Sequence, residues 1–295
     1  MSRLPAIGSR HWFAAPFRVC LSARPWIVAT VPRVAKRRDV RRFGPGPFVT
    51  GFKRDPAEWG DGFPFDLPAM LAIEQLRLDR PVTLLAGENG SGKSTILKAL
   101  AEAIGFHVEG GELERSGELP AVPRKVLGEA LDPLLTRSKP RNGYYLRAES
   151  FFNVAQFIDS GTTYAPDLSL YGDVPLHQQS HGESFLALAA NRFGGVGLYL
   201  LDEPEAALSV TGALALLAVI ARAARAGGQF VIATHSPILL ACPEARIYEL
   251  DDDGISEPPY DELDAVRLTR NFLQSPDHHL RAALGGADDA DHERQ

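Results

Sequence analysis

Three short segments of the sequence combine glycine, lysine, hydroxyl and carboxyl groups in spacings that suit phosphate chemistry. The first, Gly87–Thr95, reads G-E-N-G-S-G-K-S-T and matches the pattern G-x-x-x-x-G-K-[ST] of a phosphate-binding loop. Its glycines allow backbone N–H groups to turn inward around phosphate oxygens, because no Cβ stands in the way. An ordinary glycine-rich turn is the alternative. The pattern predicts a nucleotide site formed by Gly87, Glu88, Asn89, Gly90, Ser91, Gly92, Lys93, Ser94 and Thr95.

Two residues of this loop have predicted roles beyond cradling phosphate. Lys93 is expected to reach the β- and γ-phosphates and act in catalysis, and the Ser94 hydroxyl is expected to bind Mg²⁺. The helix that follows points its N-terminus at the anion and adds favourable electrostatics.

The second segment is an apolar run, Leu198–Leu201, that ends in the acids Asp202 and Glu203. Carboxylates are costly to bury, so two of them at the end of a buried strand indicate a metal or a catalytic task. Asp202 is predicted to hold the Mg²⁺, and Glu203 to act as the general base on the attacking water. The alternative is structural: Asp202 caps a helix and Glu203 complements its dipole.

The third segment is Thr234-His235-Ser236-Pro237, directly after another apolar run. His235 is predicted to sense the γ-phosphate or to hold the attacking water. A histidine in a satisfied polar contact is the alternative, but the strand that carries His235 follows the Asp202–Glu203 strand, which favours the catalytic role.

Short apolar runs that alternate with helical patterns must position these segments. Strands are predicted at 48–54, 81–86, 144–146, 197–201, 229–234 and 247–250, and helices at 94–104, 150–158, 182–191 and 210–226. The last of these helices is apolar nearly all round, which predicts packing on both sides. The alternation indicates an α/β fold with a mostly parallel sheet sandwiched by helices, and ligands in such folds bind beyond the carboxyl ends of the strands.

Composition and charge narrow the possibilities. Apolar residues make up 45% and charged residues 23% of the 295 residues, which is typical of a globular protein. Two cysteines are too few for a disulfide framework or a cysteine-rich metal site, and no apolar run approaches the roughly 18 residues of a membrane span. We therefore expect a cytoplasmic protein without a membrane span.

The formal net charge of −6 averages two unlike parts. Residues 1–44 hold ten basic side chains and one acid, whereas the rest holds 21 bases and 36 acids. The body is therefore not expected to attract nucleic-acid phosphates. The leader has several interpretations: a disordered extension, an upstream start assignment, a transit peptide, or an arm for nucleic acid or membrane surfaces.

Together the motifs resemble the ATP-binding-cassette (ABC) type of P-loop ATPase, and in particular a family of small stand-alone bacterial AAA-like ATPases related to the cassette and chromosome-maintenance ATPases. The likeness covers about residues 60–282. Six ordered blocks carry it: 63–68, 87–95, 146–153, 179–186, 200–208 and 233–240.

The resemblance implies further site residues. Ser180, Gly182 and Glu183 occupy the place of the cassette signature L-S-G-G-Q, which caps the γ-phosphate bound to the opposite subunit in such enzymes. The sequence departs from that signature with His181 for its first glycine and Glu183 for its glutamine. Glu149 is the best substitute for the usual metal-site glutamine. Phe63 or Phe65 is a candidate to stack on adenine, with core packing as the alternative.

The expected organisation is a basic leader at 1–45, an ABC-type ATPase domain at 46–281 and a flexible tail at 282–295. A small inserted helical and loop subdomain is expected at about 106–190.

The leading function is an ATPase that uses ATP and Mg²⁺ and forms an ATP-dependent homodimer with two nucleotides between its protomers. It would serve an unidentified protein partner, as a stand-alone regulator or as a subunit of a transport, defence or repair complex. Two competing functions are a small-molecule kinase and a passive module that binds ATP without hydrolysing it.

Overall fold

The computed structural model describes residues 45–107, 110–112, 126–138, 140, 142–148 and 181–284. The predicted leader, the predicted helix at 150–158, and the site candidates Glu149 and Ser180 lie outside these described residues, as does the tail from residue 285.

Strands and helices alternate along the described chain. The strands are β1 (Val49–Arg54), β2 (Gln75–Arg77), β3 (Val82–Gly87), β4 (Gly111–Glu112), β5 (Leu131–Leu135), β6 (Asn142–Arg147), β7 (Gly197–Asp202), β8 (Gln229–Ala233), β9 (Arg246–Asp251) and β10 (Gly254–Ser256). The helices are α1 (Pro68–Leu71), α2 (Lys93–Ile104), α3 (Val126–Glu129), α4 (His181–Arg192), α5 (Val210–Arg225), α6 (Pro237–Leu240), α7 (Asp264–Gln274) and α8 (Pro276–Ala283).

Within the described residues, seven strands form one sheet in the order β10-β9-β3-β8-β7-β6-β4. The five inner strands are parallel, and β10 and β4 are antiparallel strands at its two edges. This arrangement confirms the predicted α/β fold with a mostly parallel sheet. The other three strands form a small antiparallel sheet in the order β2-β1-β5.

Both faces of the large sheet are covered. Successive residues of β7 alternate between two apolar clusters: Leu198 and Leu200 pack with α2, whereas Tyr199 and Leu201 pack with α4 and α5. All six residues of β7 are buried, as a strand covered on both faces requires. Helix α2 is amphipathic and buries Ile96 among other residues, and it ends at Gly105 in the left-handed conformation.

One buried glutamine joins the two sheets. The Oε1 atom of Gln229 accepts hydrogen bonds from the backbone N–H groups of Phe48 and Val49 at 2.7 and 3.1 Å. Its Nε2 atom donates to the carbonyls of Val49 and Leu78 at 2.6 and 2.9 Å. This side chain therefore satisfies backbone groups that a packed interface would otherwise leave unpaired.

Two sequence-based expectations concern the packing of α5 and the inserted subdomain. Helix α5 buries one face only, because Val210 and Leu214 are 69% and 53% exposed, so the predicted packing on both sides is wrong. Strands β4, β5 and β6 fall within the range 106–190 expected for an inserted helical and loop subdomain, and they pair within the two sheets. Sequence-local patterns could not show these pairings, because the partner strands lie far along the chain.

None of the helices in the described ranges has the length and apolar character needed to cross a bilayer.

Candidate functional site

The phosphate-binding loop, the two acids at the end of β7 and His235 meet at the carboxyl edge of the large sheet. Strand β8 lies between β3 and β7, so the phosphate-binding loop after β3 and the acids at the end of β7 flank the His235 loop. Strand β6 lies on the other side of β7, with Arg147 in register with Asp202. Parallel strands bring their carboxyl ends to one edge, which is where α/β folds bind ligands.

The phosphate-binding loop has backbone conformations that require glycine. Gly87 has a φ of 138°, and a Cβ there would collide with the carbonyl oxygen of Leu250 on β9. Gly92 has a φ of 97° in the left-handed region and caps the N-terminus of α2. The loop therefore presents backbone N–H groups and a helix N-terminus to an anion.

Lys93 reaches back over this loop. Its Nζ atom donates hydrogen bonds to the carbonyls of Gly87 and Glu88 at 2.8 and 2.7 Å. An ammonium carries three donors, so these two bonds to described residues leave one for a phosphate oxygen. Burial lowers the pKa of the ammonium below its ordinary value, while the carboxylates of Glu203, Glu205, Asp202 and Glu88 act in the opposite direction.

A hydroxyl and a carboxylate join the loop to β7. The Oγ atom of Ser94 donates to Oδ1 of Asp202 at 2.7 Å, and Oδ2 of Asp202 lies 3.7 Å from Nε of Arg147. Among the described residues, no group of three or more His, Cys, Asp or Glu side chains is arranged to hold a metal by itself. Mg²⁺ usually takes one or two protein oxygens together with phosphates and water, so the Ser94–Asp202 pair fits this ion.

Glu203 has a strained backbone. Its φ and ψ of 48° and 50° lie in the left-handed region, which costs a residue with a side chain about 1–3 kcal/mol. The Glu203 N–H donates to the carbonyl of Ala233 at 2.9 Å, and its own carbonyl accepts from Ala206 at 3.0 Å. These bonds fix the turn, and the Glu203 carboxylate remains partly exposed. Strain of this kind concentrates at functional positions.

Two carboxylates lie beside His235. Its Nδ1 atom is 3.8 Å from Oε1 of Glu203 and 3.5 Å from Oε1 of Glu205. The sequence motifs do not identify Glu205 as a site residue. A third acid two residues after Glu203 is a signal that could have identified it. The motifs do not identify Arg147 either, and its signal is a charged residue at the end of a predicted strand.

Two of the three signature-like residues, Gly182 and Glu183, lie within the described part of the chain. Gly182 and Glu183 form the first turn of α4, and a Cβ on Gly182 would lie 3.1 Å from the carbonyl of Ala207 and 3.7 Å from Leu208. The phosphate-binding loop is not among the atoms within 4 Å of that position. The structure therefore places Gly182 beside the turn that follows Glu203.

The two aromatic candidates for adenine stacking have different environments. Phe65 is buried and packs edge-on against Trp59 with ring centroids 5.2 Å apart. Phe63 is 78% exposed. The segment that carries both continues to Leu67, whose Cδ1 would lie 3.5 Å from a Cβ on Gly92, so the segment passes beside the loop.

Two family models match parts of the chain. One described as "AAA domain" matches residues 71–121. The other, described as "AAA domain, putative AbiEii toxin, Type IV TA system", matches residues 167–241. The first range includes the phosphate-binding loop, and the second includes both acids of β7 and His235.

Individual proteins are also similar to this chain. The cytochrome c biogenesis ATP-binding export protein CcmA of Nitrobacter winogradskyi is 31% identical over 171 residues, which make up 55% of this chain and 82% of that protein. CcmA of Paracoccus denitrificans is 34% identical over 180 residues, or 59% of this chain and 78% of that protein.

Fold and site thus define an ATP-binding protein of the P-loop class. The chain belongs to the ABC family of P-loop ATPases.

Solved structures with a similar arrangement include cbiO1 of Clostridium perfringens, at 17% identity and a TM-score of 0.45 over 80% of this chain and all of that one. The SMC head domain of Thermotoga maritima has 14% identity and a TM-score of 0.42, over 72% of this chain and 99% of that one. At these scores neither likeness bears on function.

Proposed function

We propose that this protein hydrolyses ATP to ADP and phosphate with Mg²⁺ at the carboxyl edge of its large sheet. The observation that carries the proposal is the 2.7 Å hydrogen bond from Ser94 to Asp202. It joins the hydroxyl of a phosphate-binding loop to the buried acid at the end of β7, the two protein groups that such an ATPase needs for its metal.

Each side chain then has a defined task. Loop N–H groups and Lys93 bind the phosphates and neutralise charge that develops on them, which supplies most of the catalysis of phosphoryl transfer. Ser94 and Asp202 would hold Mg²⁺, which adds further positive charge at the phosphate oxygens. Glu203 orients the attacking water and accepts its proton, and His235 holds the γ-phosphate or that water.

The test is phosphate release by the unmutated protein with ATP, with and without Mg²⁺, and without any added phosphate acceptor. We expect release that stops when EDTA removes the metal. Binding of ATP without release would favour the passive module instead. Transfer of phosphate from ATP that occurs only after a small-molecule acceptor is added would favour the kinase.

We also propose that two protomers sandwich two ATP molecules. The supporting observation is the position of Gly182 at the start of α4, beside Ala207 and Leu208 in the turn that follows Glu203. In the proposed dimer, the N-terminus of α4 would cap the γ-phosphate held by a second protomer, as the resemblance implies for Ser180, Gly182 and Glu183.

Adenine recognition is assigned to Phe63. Because Phe65 is buried against Trp59, only Phe63 of the two candidates has a ring face open to a base. Base stacking on an aromatic ring contributes about 1–3 kcal/mol, so Phe63→Ala should weaken ATP binding by about 5- to 150-fold. Titration with a fluorescent ATP analogue measures this. Leu71→Ala, at another exposed apolar side chain, is the control, and equal affinity in both variants would refute the assignment.

A second candidate role is the ATP-binding subunit of a transport complex, favoured by the 31% identity to CcmA over most of that protein's length. It predicts that the protein sediments with membranes from its source cells. Recovery of all the protein in the supernatant would favour a stand-alone regulator.

A further inference from the structure

The Glu205 carboxylate links the turn after β7, which begins at Glu203, to the loop after β8, which carries His235. One oxygen, Oε1, accepts hydrogen bonds from the Thr234 hydroxyl at 2.6 Å and from the N–H groups of His235 and Ser236 at 2.9 and 3.2 Å. The Glu205 side chain is only 8% exposed.

The N–H groups of His235 and Ser236 lie just beyond the last backbone hydrogen bond between β8 and β3. The N–H of Thr234 still donates to the carbonyl of Leu85 on β3 at 3.0 Å. The next two N–H groups point to the Glu205 carboxylate, which therefore replaces the sheet as their acceptor. The Ser236 N–H also donates to Oγ1 of Thr234 at 3.0 Å, and that hydroxyl in turn donates to Glu205.

The same carboxylate fixes His235 relative to Glu203. The turn of residues 204–207 begins at the strained backbone of Glu203, and Glu205 within it holds the backbone of His235. The imidazole then stands with Nδ1 3.8 Å from the Glu203 carboxylate. Without Glu205, the connection of the His235 loop to that turn would lose three hydrogen bonds.

We propose that Glu205 is a positioning residue that acts through His235, holding the imidazole where the γ-phosphate and the attacking water are handled. This proposal rests on the proposed ATPase function. The Oε1 atom of Glu205 is occupied by the Thr234 hydroxyl and by the backbone N–H groups of His235 and Ser236. Displacing a catalytic group by about 1 Å can reduce turnover by as much as 100-fold.

The test is a double-mutant cycle on phosphate release. Glu205→Ala should lower kcat by about 10- to 100-fold and leave the KM for ATP within about twofold, since the phosphate-binding loop is unchanged. Adding Glu205→Ala to His235→Ala should then lower kcat no further. If Glu205→Ala lowers kcat by the same factor in the unmutated protein and in His235→Ala, the proposal is overturned, because Glu205 would then act on something other than His235.

Two further variants separate positioning from a general loss of stability. Glu205→Gln keeps an acceptor oxygen for the same backbone donors and should restore most of the kcat. Glu262→Ala, at an exposed acid, is the control and should match the unmutated protein. Failure of glutamine to restore any activity would also contradict the proposal, provided that the variant melts at the normal temperature.

A measurement without nucleotide distinguishes this proposal from the proposed function. The sequence has eight histidines, and the NMR signal of the His235 ring is identified by its loss in His235→Ala. Glu205→Ala should shift that signal, and Glu205→Gln should shift it less. If the unmutated protein releases no phosphate, the proposed function fails, whereas an unmoved His235 signal in Glu205→Ala refutes the positioning role.

Discussion

Replacement of Glu203 by glutamine is expected to lower the rate of phosphate release by about 100-fold or more while ATP still binds. Glutamine has nearly the same shape but cannot accept a proton from water, and a general base contributes roughly 100- to 10,000-fold to such reactions. Lys93, Ser94 and the loop N–H groups remain in place, so affinity for ATP should change little. Single-turnover phosphate release and nucleotide titration measure the two effects separately.

The same variant should trap the proposed sandwich. If hydrolysis reopens the dimer, Glu203→Gln should convert from monomer to dimer in solution when ATP and Mg²⁺ are added. Solution mass, measured by light scattering with and without nucleotide, checks this. A mass that stays monomeric, together with unchanged phosphate release, would show that Glu203 is not the base and that α4 does not cap a second protomer's nucleotide.

Glu244 offers a matched control for this experiment. It is an exposed glutamate with a left-handed backbone, at a φ of 61°, and so resembles Glu203 in both charge and conformation. It precedes β9 and therefore lies at the amino edge of the parallel strands, opposite the site. Glu244→Gln should release phosphate at the normal rate.

Replacement of Lys93 by alanine is expected to have the second large effect, with ATP bound about 100-fold more weakly and phosphate release lost. The ammonium supplies the charge-assisted hydrogen bonds that a phosphate needs, and removing one such stabilising group typically reduces turnover by about 100- to 1,000-fold. Titration with a fluorescent ATP analogue and an assay of phosphate release measure both consequences.

The thermal stability of the Lys93→Ala protein must be measured as well. Lys93→Ala removes the donors to the carbonyls of Gly87 and Glu88 and leaves several carboxylates near one another without their cation. Lys98→Ala, on the same helix but outside the phosphate-binding loop, is the control. A Lys93→Ala protein that melts normally and binds ATP as tightly as the Lys98→Ala protein would contradict the assigned role.

Local sequence patterns are sufficient to predict the class of fold and the central chemistry. Strands β3, β7 and β8 are short apolar runs between turn residues, and such runs form buried parallel strands largely for local reasons. The phosphate-binding loop is largely local too, because Gly87, Gly90 and Gly92 have positive φ, although Leu250 on β9 also excludes a side chain at Gly87. Asp202, Glu203 and His235 are identifiable since each closely follows one of these apolar runs.

Contacts between distant residues settle what local patterns leave open. The sequence pattern treats Phe63 and Phe65 alike, and the packing of Trp59 on one of them separates the two. It also could not show that α5 leaves one face exposed, because an apolar composition does not say which neighbours will cover it.

The Glu205 and Arg147 contacts have the same origin. Glu205 bonds to residues about 30 positions away, and Arg147 meets Asp202 across a strand pair separated by 55 positions in sequence. Nothing local in the chain requires either contact. They follow from the strand order, which places β6, β7 and β8 side by side, and strand order is set by the packing of the whole domain.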